Sequence, residues 1–364
     1  MSGVGVPRPG PLASAALFVP GILYGAAVRA RNRAYDLGLF RARRLPRPVI
    51  AFGNLTMGGT GKTPLTSFAA ATLRDAGYRV GILSRGYRRE GRSALLVSDG
   101  RRILVNAARA GDEPYLLARD NPAVAVAVGA DRLAAAGLLL AAAPCEVVLL
   151  DDAYQHRAVL RDVNVLLVDG REPFGNGRIL PFGPLREPVD GVRRADAVVL
   201  TRGAGAAPPL LLRILERHHP SVPVFHASVA PRGFVGPTGE AAGDAALRGF
   251  AAYAFSGIAR PERFEEDLRA AGVRLAGTRR FADHHPYGAR DLEEIAAAAR
   301  AAGAEVLVTT EKDLVRLPAP PPASPPLFAL SIAVSFPDAG FTGFLLDRLG
   351  ALAPGAPAGA GGRR

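Results

Sequence analysis

Short apolar, β-branched runs recur along residues 49–202, beginning with Val49 to Phe52 and continuing as RVGILS, AVAVAVG, EVVLLDD, VNVLLVDG and DAVVLTR. Stretches of helical character separate them, such as Asp131 to Ala143, rich in Ala and Leu. Near-continuous apolar strands alternating with helices predict a doubly wound parallel sheet. After Arg202 the segment GAGAAPP marks a boundary, and a second alternating set follows: VPVFHASV, AAYAFSG, PERFEEDLRAAG, DLEEIAAAARAAG and AEVLVTTEKD. This set predicts a second, smaller α/β lobe. A proline-rich loop, PAPPPASPP, precedes a last strand, LFALSIAVSF, and the low-complexity tail APGAPAGAGGRR is expected to be disordered.

The N-terminal pattern differs. Leu12 to Val28 carries no charge and runs into a segment holding Arg29, Arg31, Arg33, Arg41, Arg43, Arg44 and Arg47 against one acid, Asp36. A secretory signal peptide would place its positive charge before the apolar run, where only Arg8 stands. A spanning helix needs about 20 apolar residues, and this shorter run has Pro20-Gly21 in its middle, so a helix dipping into one leaflet is expected, its arginines resting on anionic headgroups. A buried core helix followed by a solvated basic face is the alternative.

Hydrophobic residues at 49% and charged residues at 21% suit a globular chain with an ample core. The single cysteine, Cys145, excludes an internal disulfide and favours the cytoplasm. A formal charge of +12 points to an anionic partner without choosing among nucleic acid, phosphorylated substrate and membrane. With aromatics at 7% and no basic stretch interleaved with them, nucleic acid is disfavoured. Lysine occurs only at Lys62 and Lys312 among 45 cations. Where arginine is the default, a retained lysine marks a place that needs a compact ammonium.

Lys62 stands in AFGNLTMGGTGKTPL, which supplies Gly61, Lys62 and Thr63 of the phosphate-loop pattern, with Thr56 where the first glycine is usual. The preceding apolar strand and Pro64 at the start of the next helix are the context such a loop requires. Gly58, Gly59 and Gly61 free the backbone N–H groups to turn inward around phosphate oxygens. Lys62 would reach the β/γ-phosphates and Thr63 would ligate Mg²⁺.

A nucleotide site of this type also uses a carboxylate on a neighbouring strand, and VVLLDD delivers Asp151 and Asp152 at a strand end, followed by Gln155 and His156. Asp112-Glu113-Pro114 reads by itself as a helix start. Asp283-His284-His285 reads as a surface turn or a proton-transfer pair. Arg85 in SRGY and Arg186-Glu187 in GPLREP are compatible with surface pairs, and Thr310-Glu311-Lys312-Asp313 holds the second lysine at a strand end.

Taken together, GNLTMGGTGKTP, SRGY, GDEP, LLDDAYQHR, GNGRILPFGPLREP, FADHH and TTEKD, in that order, resemble the tetraacyldisaccharide 4'-kinases of lipid A biosynthesis. Members of that family are similar in having a non-glycine residue at the head of the loop. The resemblance implies transfer of the ATP γ-phosphate, with Mg²⁺, to the 4'-hydroxyl of a tetraacyl glucosamine disaccharide 1-phosphate at the cytoplasmic face of the bacterial inner membrane. It implies ATP binding by Thr56, Met57, Gly58, Gly59, Thr60, Gly61, Lys62 and Thr63, and metal binding by Thr63, Glu113 and Asp151. Asp112 would take the sugar proton, assisted by His284. Asp152 would serve the metal or stand as the alternative base, and Arg85, Gln155, His156 and Arg186 would contact substrate. No protein partner is implied. Since Asp112 and His284 fall in different lobes, closure is expected to assemble the pair.

The expected fold is therefore α/β, with a P-loop NTPase-type parallel sheet core, a second, smaller α/β lobe and an N-terminal membrane-associated helix. The expected boundaries are 1–47 for the apolar helix and basic segment, 48–205 for the nucleotide-binding domain, 206–350 for the second lobe and 351–364 for the tail. Two other readings stay open: a membrane-associated P-loop ATPase or GTPase switch, although a guanine-specifying N-K-x-D motif is absent, and a basic scaffold that nucleotide only stabilises.

Overall fold

The computed structural model describes residues 11–203, 206–243, 246–318 and 324–352, with side chains from residue 20 onward. Helix α1 (Pro11–Asp36) leads to β1 (Val49–Asn54), α2 (Lys62–Asp75), β2 (Val80–Ser84), β3 (Leu95–Asp99), α3 (Ala107–Ala110), α4 (Asp112–Asp120), β4 (Ala125–Val128), α5 (Arg132–Ala142), β5 (Val147–Leu150), β6 (Val163–Asp169) and β7 (Ala197–Thr201). Then come α6 (Pro209–His218), β8 (Val224–Val235), β9 (Ala241–Gly243), β10 (Ala251–Ser256), α7 (Pro261–Ala270), β11 (Arg274–Arg280), α8 (Ala289–Ala301), β12 (Val306–Thr310), α9 (Glu311–Leu314), β13 (Leu327–Ser335) and α10 (Gly340–Gly350).

Local chemistry accounts for these boundaries. β1, β2, β4, β5, β6 and β7 are buried along their whole length, as strands covered by helices on both faces must be. Asp131 caps α5 by accepting from the N–H groups of Leu133 (2.9 Å) and Ala134 (3.3 Å). Helices α6 and α7 open on Pro209 and Pro261, whose missing N–H costs nothing at a first turn.

Among the described residues the strands form one hydrogen-bonded sheet in the order β11-β10-β12-β13-β8-β7-β6-β1-β5-β2-β4-β3, with β9 beside β8. The half from β7 to β4 is parallel, and β3 joins its edge antiparallel. Strand β8 belongs to both halves of the molecule. Its first residues pair parallel with β7 and the remainder pairs antiparallel with β13. The chain then returns: Phe341, Leu345 and Leu349 of α10 are buried in one cluster with Leu65, Ala69 and Leu73 of α2. The sequence patterns for the named strands and helices are found as elements, whereas the strands β3, β9 and β11 and the helices α3, α6, α9 and α10 are additional. The expected disordered tail lies outside the described residues beyond Leu352.

Helix α1 continues through Pro20. One side rests on the turn after β6, where Gly21 faces Pro181 and Phe182 and Gly25 faces Ile179. Ile22, Leu23 and Tyr24 are exposed on the helix, as are Leu37, Leu39 and Phe40 beyond it. No helix among the described residues is long and apolar enough to cross a membrane.

Candidate active site

The site is built at the C-terminal ends of β1 and β5, where an open α/β sheet presents its loops. Residues Thr56 to Gly61 turn from β1 into α2. Gly61 is the N-cap of α2 at φ 89°, and Gly58 lies at φ 110°, a left-handed region that disfavours side chains. Loop contacts hold the turn from several sides. Asn54 Nδ2 donates to Thr60 Oγ1 (3.0 Å), Met57 N donates to the Pro184 carbonyl (2.7 Å), Thr201 Oγ1 donates to the Thr60 carbonyl (3.1 Å), and Arg202 Nη1 donates to the Gly59 carbonyl (3.0 Å). Gly59 and Met57 remain exposed, so the loop is open at its tip. A depression beside it is lined by Thr56 to Thr60 together with Asp169, Glu172 and Arg260. Behind the loop, β1 lies against the turn after β5 so closely that a Cβ on Gly53 would come 2.6 Å from Tyr154 N.

Lys62 is buried at the start of α2, its Nζ 3.7 Å from Asp152 Oδ1. Burial lowers its pKa, and the charge of Asp152 opposes that shift. Asp152 also accepts from Arg186 Nη1 at 2.8 Å. Burial would raise the Asp152 carboxyl, but Lys62 and Arg186 outweigh it and hold the group below its ordinary value. The adjacent Asp151 points elsewhere. It is fully buried, accepting from Thr66 Oγ1 (3.0 Å) and Ser84 Oγ (3.3 Å).

Burial, with the negative charges of Glu113 and Asp152, pushes Asp151 up from 3.8 to about 7. A carboxyl whose pKa is raised by folding stays protonated in the native state at pH values where the unfolded chain has already released that proton. Its contribution therefore declines as pH rises between 3.8 and about 7. Replacing Asp151 with Asn should flatten that part of the stability profile, as read by urea unfolding at a series of pH values; an unchanged slope would contradict the assignment.

The first turn of α4 carries Asp112 and Glu113, acids placed favourably at a helix N-terminus. Asp112 Oδ2 meets His284 Nδ1 at 3.1 Å and Arg316 Nε at 3.2 Å, both from the other half of the molecule. His284 sits at φ 60°, its backbone N bonded to the Gly257 carbonyl (2.9 Å) and its ring against the edge of Tyr87. Its neighbour His285 turns away to Asp291 (3.1 Å) and stacks on Phe281. Glu113 pairs with Lys312 Nζ. The Lys312 ammonium holds the Glu113 carboxyl below its usual range against the effect of burial, and burial of Lys312 is in turn outweighed by that carboxylate.

Of the remaining residues singled out by sequence, Arg186 joins the cluster through Asp152. Gln155 braces it from behind: its Nε2 donates to the Asn54 carbonyl (2.8 Å) and to Glu187 Oε1 (3.0 Å). Burial and the charges of Arg132 and Arg161 lower His156 to about 4, and its buried Nε2 has no hydrogen-bond partner among the described residues. Arg85 lines a separate depression with Arg88, Arg89 and Arg92. Thr63 is half-buried next to Lys62 on α2. Glu187, read from the sequence with Arg186 as compatible with a surface pair, is instead fully buried and accepts from Arg194 Nη2 (2.7 Å). Sequence reasoning did not single out Ser84, Thr66, Thr201 or Arg316. Only Arg316 left a trace, standing four residues after Lys312 and so on the same face of a helical turn.

Comparison with known proteins bears on this arrangement. Residues 13–350 match the family model described as tetraacyldisaccharide-1-P 4'-kinase. The chain is similar to the tetraacyldisaccharide 4'-kinase of Geobacter sulfurreducens, 45% identical over 310 residues and 85% of each chain. It is also similar to that of Anaeromyxobacter dehalogenans strain 2CP-C, 44% identical over 316 residues, 85% of this chain and 84% of the relative. Its fold superimposes on LpxK from Aquifex aeolicus, crystallised in complex with ATP, with a TM-score of 0.76 at 33% identity, covering 93% of this chain and 99% of that one. The chain belongs to the tetraacyldisaccharide-1-P 4'-kinase family.

Proposed function

We propose that the protein transfers the γ-phosphoryl group of ATP to the 4'-hydroxyl of a tetraacyl glucosamine disaccharide 1-phosphate. The observation that carries this reading is the pairing of Asp112 with His284 from the other half of the molecule, beside the acids and the lysine of an open phosphate loop. Thr56 to Thr63 hold the phosphates, with the open glycines facing them and Lys62 at the β/γ end. Mg²⁺, when bound, spreads the charge of the transferring group. A magnesium ion with a nucleotide takes one or two protein donors and completes its shell with phosphate and water, so a cage of acids is not required. The Thr63 hydroxyl and the Glu113 carboxylate would be such donors, with Asp152 near Glu113 and Asp151 acting through its hydroxyl network.

Asp112 accepts the proton of the sugar hydroxyl, and His284 with Arg316 keeps its carboxylate aimed. Phosphoryl transfer asks for little beyond this, since alignment and charge stabilisation dominate. Arg186, which donates to Asp152, contacts the transferred phosphate; Arg85, Gln155 and His156 serve on the substrate side, Gln155 by bracing the end of β1.

Helix α1 brings the lipid to the site by resting at the cytoplasmic face of the inner membrane. The exposed Ile22, Leu23, Leu37, Leu39 and Phe40, bordered by arginines, support that placement. The test is transfer of label from radiolabelled ATP to the tetraacyl disaccharide 1-phosphate with Mg²⁺ in detergent, by wild type and Asp112→Ala. Label on lipid with wild type alone is expected. ATP turnover indifferent to lipid and stimulated by a protein partner would instead support a nucleotide switch.

A further inference from the structure

The two lysines of the chain come from opposite halves of the molecule and converge on one group of acids. Lys62 stands beside Asp152 from α2, and Lys312 pairs with Glu113 from α9. Lys312 is the second residue of a four-residue helix that leaves the end of β12. That helix is held firmly. Thr310 Oγ1 accepts from Asp313 N (3.1 Å), while Asp313 Oδ1 accepts from Gly257 N (2.9 Å), Tyr287 Oη (2.9 Å) and Arg316 Nη2 (2.7 Å). On either side of Lys312, Glu311 pairs with Arg119 near the end of α4 and Arg316 pairs with Asp112 at its start. Three ion pairs thus dock this helical turn on α4, and the lysine is the middle one.

A simple tie between the halves would be served by arginine, which this chain uses for the two flanking bridges and for all but two of its cations. Arginine offers a wide planar fork, whereas an ammonium is a compact point charge. The middle position faces Glu113, whose charge also bears on Lys62 and Asp152, so a cation there joins a shared group of charges at a half-buried site.

We propose that Lys312 is a positioning residue for phosphoryl transfer: reaching across from the second half, its ammonium holds the Glu113 carboxylate beside Lys62, so that metal and phosphate groups are aligned only when this bridge is made. The inference rests on the kinase reading of the site. It is tested with Lys312→Met, Lys312→Arg, Glu113→Gln and the double variant Lys312→Met/Glu113→Gln. Three quantities are read: steady-state kcat and KM for ATP, binding of a fluorescent ATP analogue across a Mg²⁺ titration, and thermal unfolding.

Residues that orient a metal donor typically cost about 10–100-fold when removed. Lys312→Met should lower kcat by about that factor while KM for ATP changes less, and should raise the Mg²⁺ concentration that half-saturates analogue binding. Lys312→Arg should recover thermal stability without recovering kcat. Because both residues act through one bridge, the double variant should be no slower than Glu113→Gln alone. Full recovery of kcat by arginine, an unshifted Mg²⁺ titration, or losses that multiply in the double variant would each overturn the proposal. If Lys312→Met does not fold, the arginine variant and Glu113→Gln decide it by the same readings. Failure of the kinase reading itself would show separately, as wild-type protein that labels no lipid.

Discussion

Asp112→Asn should lower kcat for lipid phosphorylation by about 10²–10⁴-fold, the range a general base contributes. Asparagine keeps the size of the side chain and one acceptor oxygen, but it takes no proton at working pH. His284 and Arg316 would then face an amide rather than a carboxylate. The phosphate loop lies on another element and does not touch Asp112, so KM for ATP should move little and the loss should fall on kcat. The removed charge leaves Arg316 its bond to Asp313 at 2.7 Å, which argues against unfolding as the cause of the defect. Steady-state kinetics with thermal unfolding beside them check this expectation. A variant within a few fold of wild type would remove Asp112 from the chemistry and shift attention to Asp152.

Lys62→Met should cost about 10²–10³-fold in kcat, the scale for losing one preorganised donor to charge developing in a transition state. The buried ammonium is held between the Gly58 carbonyl of the loop and Asp152, contacts that fix its position. Arg186 would still pair with Asp152, so the acid is not stranded and the fold should survive. Lys62→Arg should not rescue the activity, because a guanidinium overfills a site in which lysine is already buried. A fluorescent nucleotide titration separates lost binding from lost chemistry. Wild-type turnover in Lys62→Met would mean that the loop does not serve the transferred phosphate.

The parts of this molecule that were legible before its structure are those encoded by local pattern. Apolar runs of strand length, a glycine-rich turn and the acids at a strand end each state their role within a few neighbouring residues. β11 was not legible because its sequence, RLAGTRR, is that of an exposed edge, where arginines replace the apolar alternation that marks a strand. β8 carries Pro231 and Gly233, which read as an interruption. In the sheet the strand continues past them by shifting register against β13.

The sequence by itself determined the nucleotide loop, the alternation of strands and helices, and the candidate acids, because hydrophobic periodicity and backbone freedom are local properties. Only the tertiary structure decided that Asp151 turns inward while Asp152 meets Lys62, that His285 turns to Asp291, and that Lys312 reaches Glu113. In each case chemically equivalent neighbours compete for one place. The choice depends on side-chain direction and on partners brought close by β8, whose two ends join the halves in one sheet.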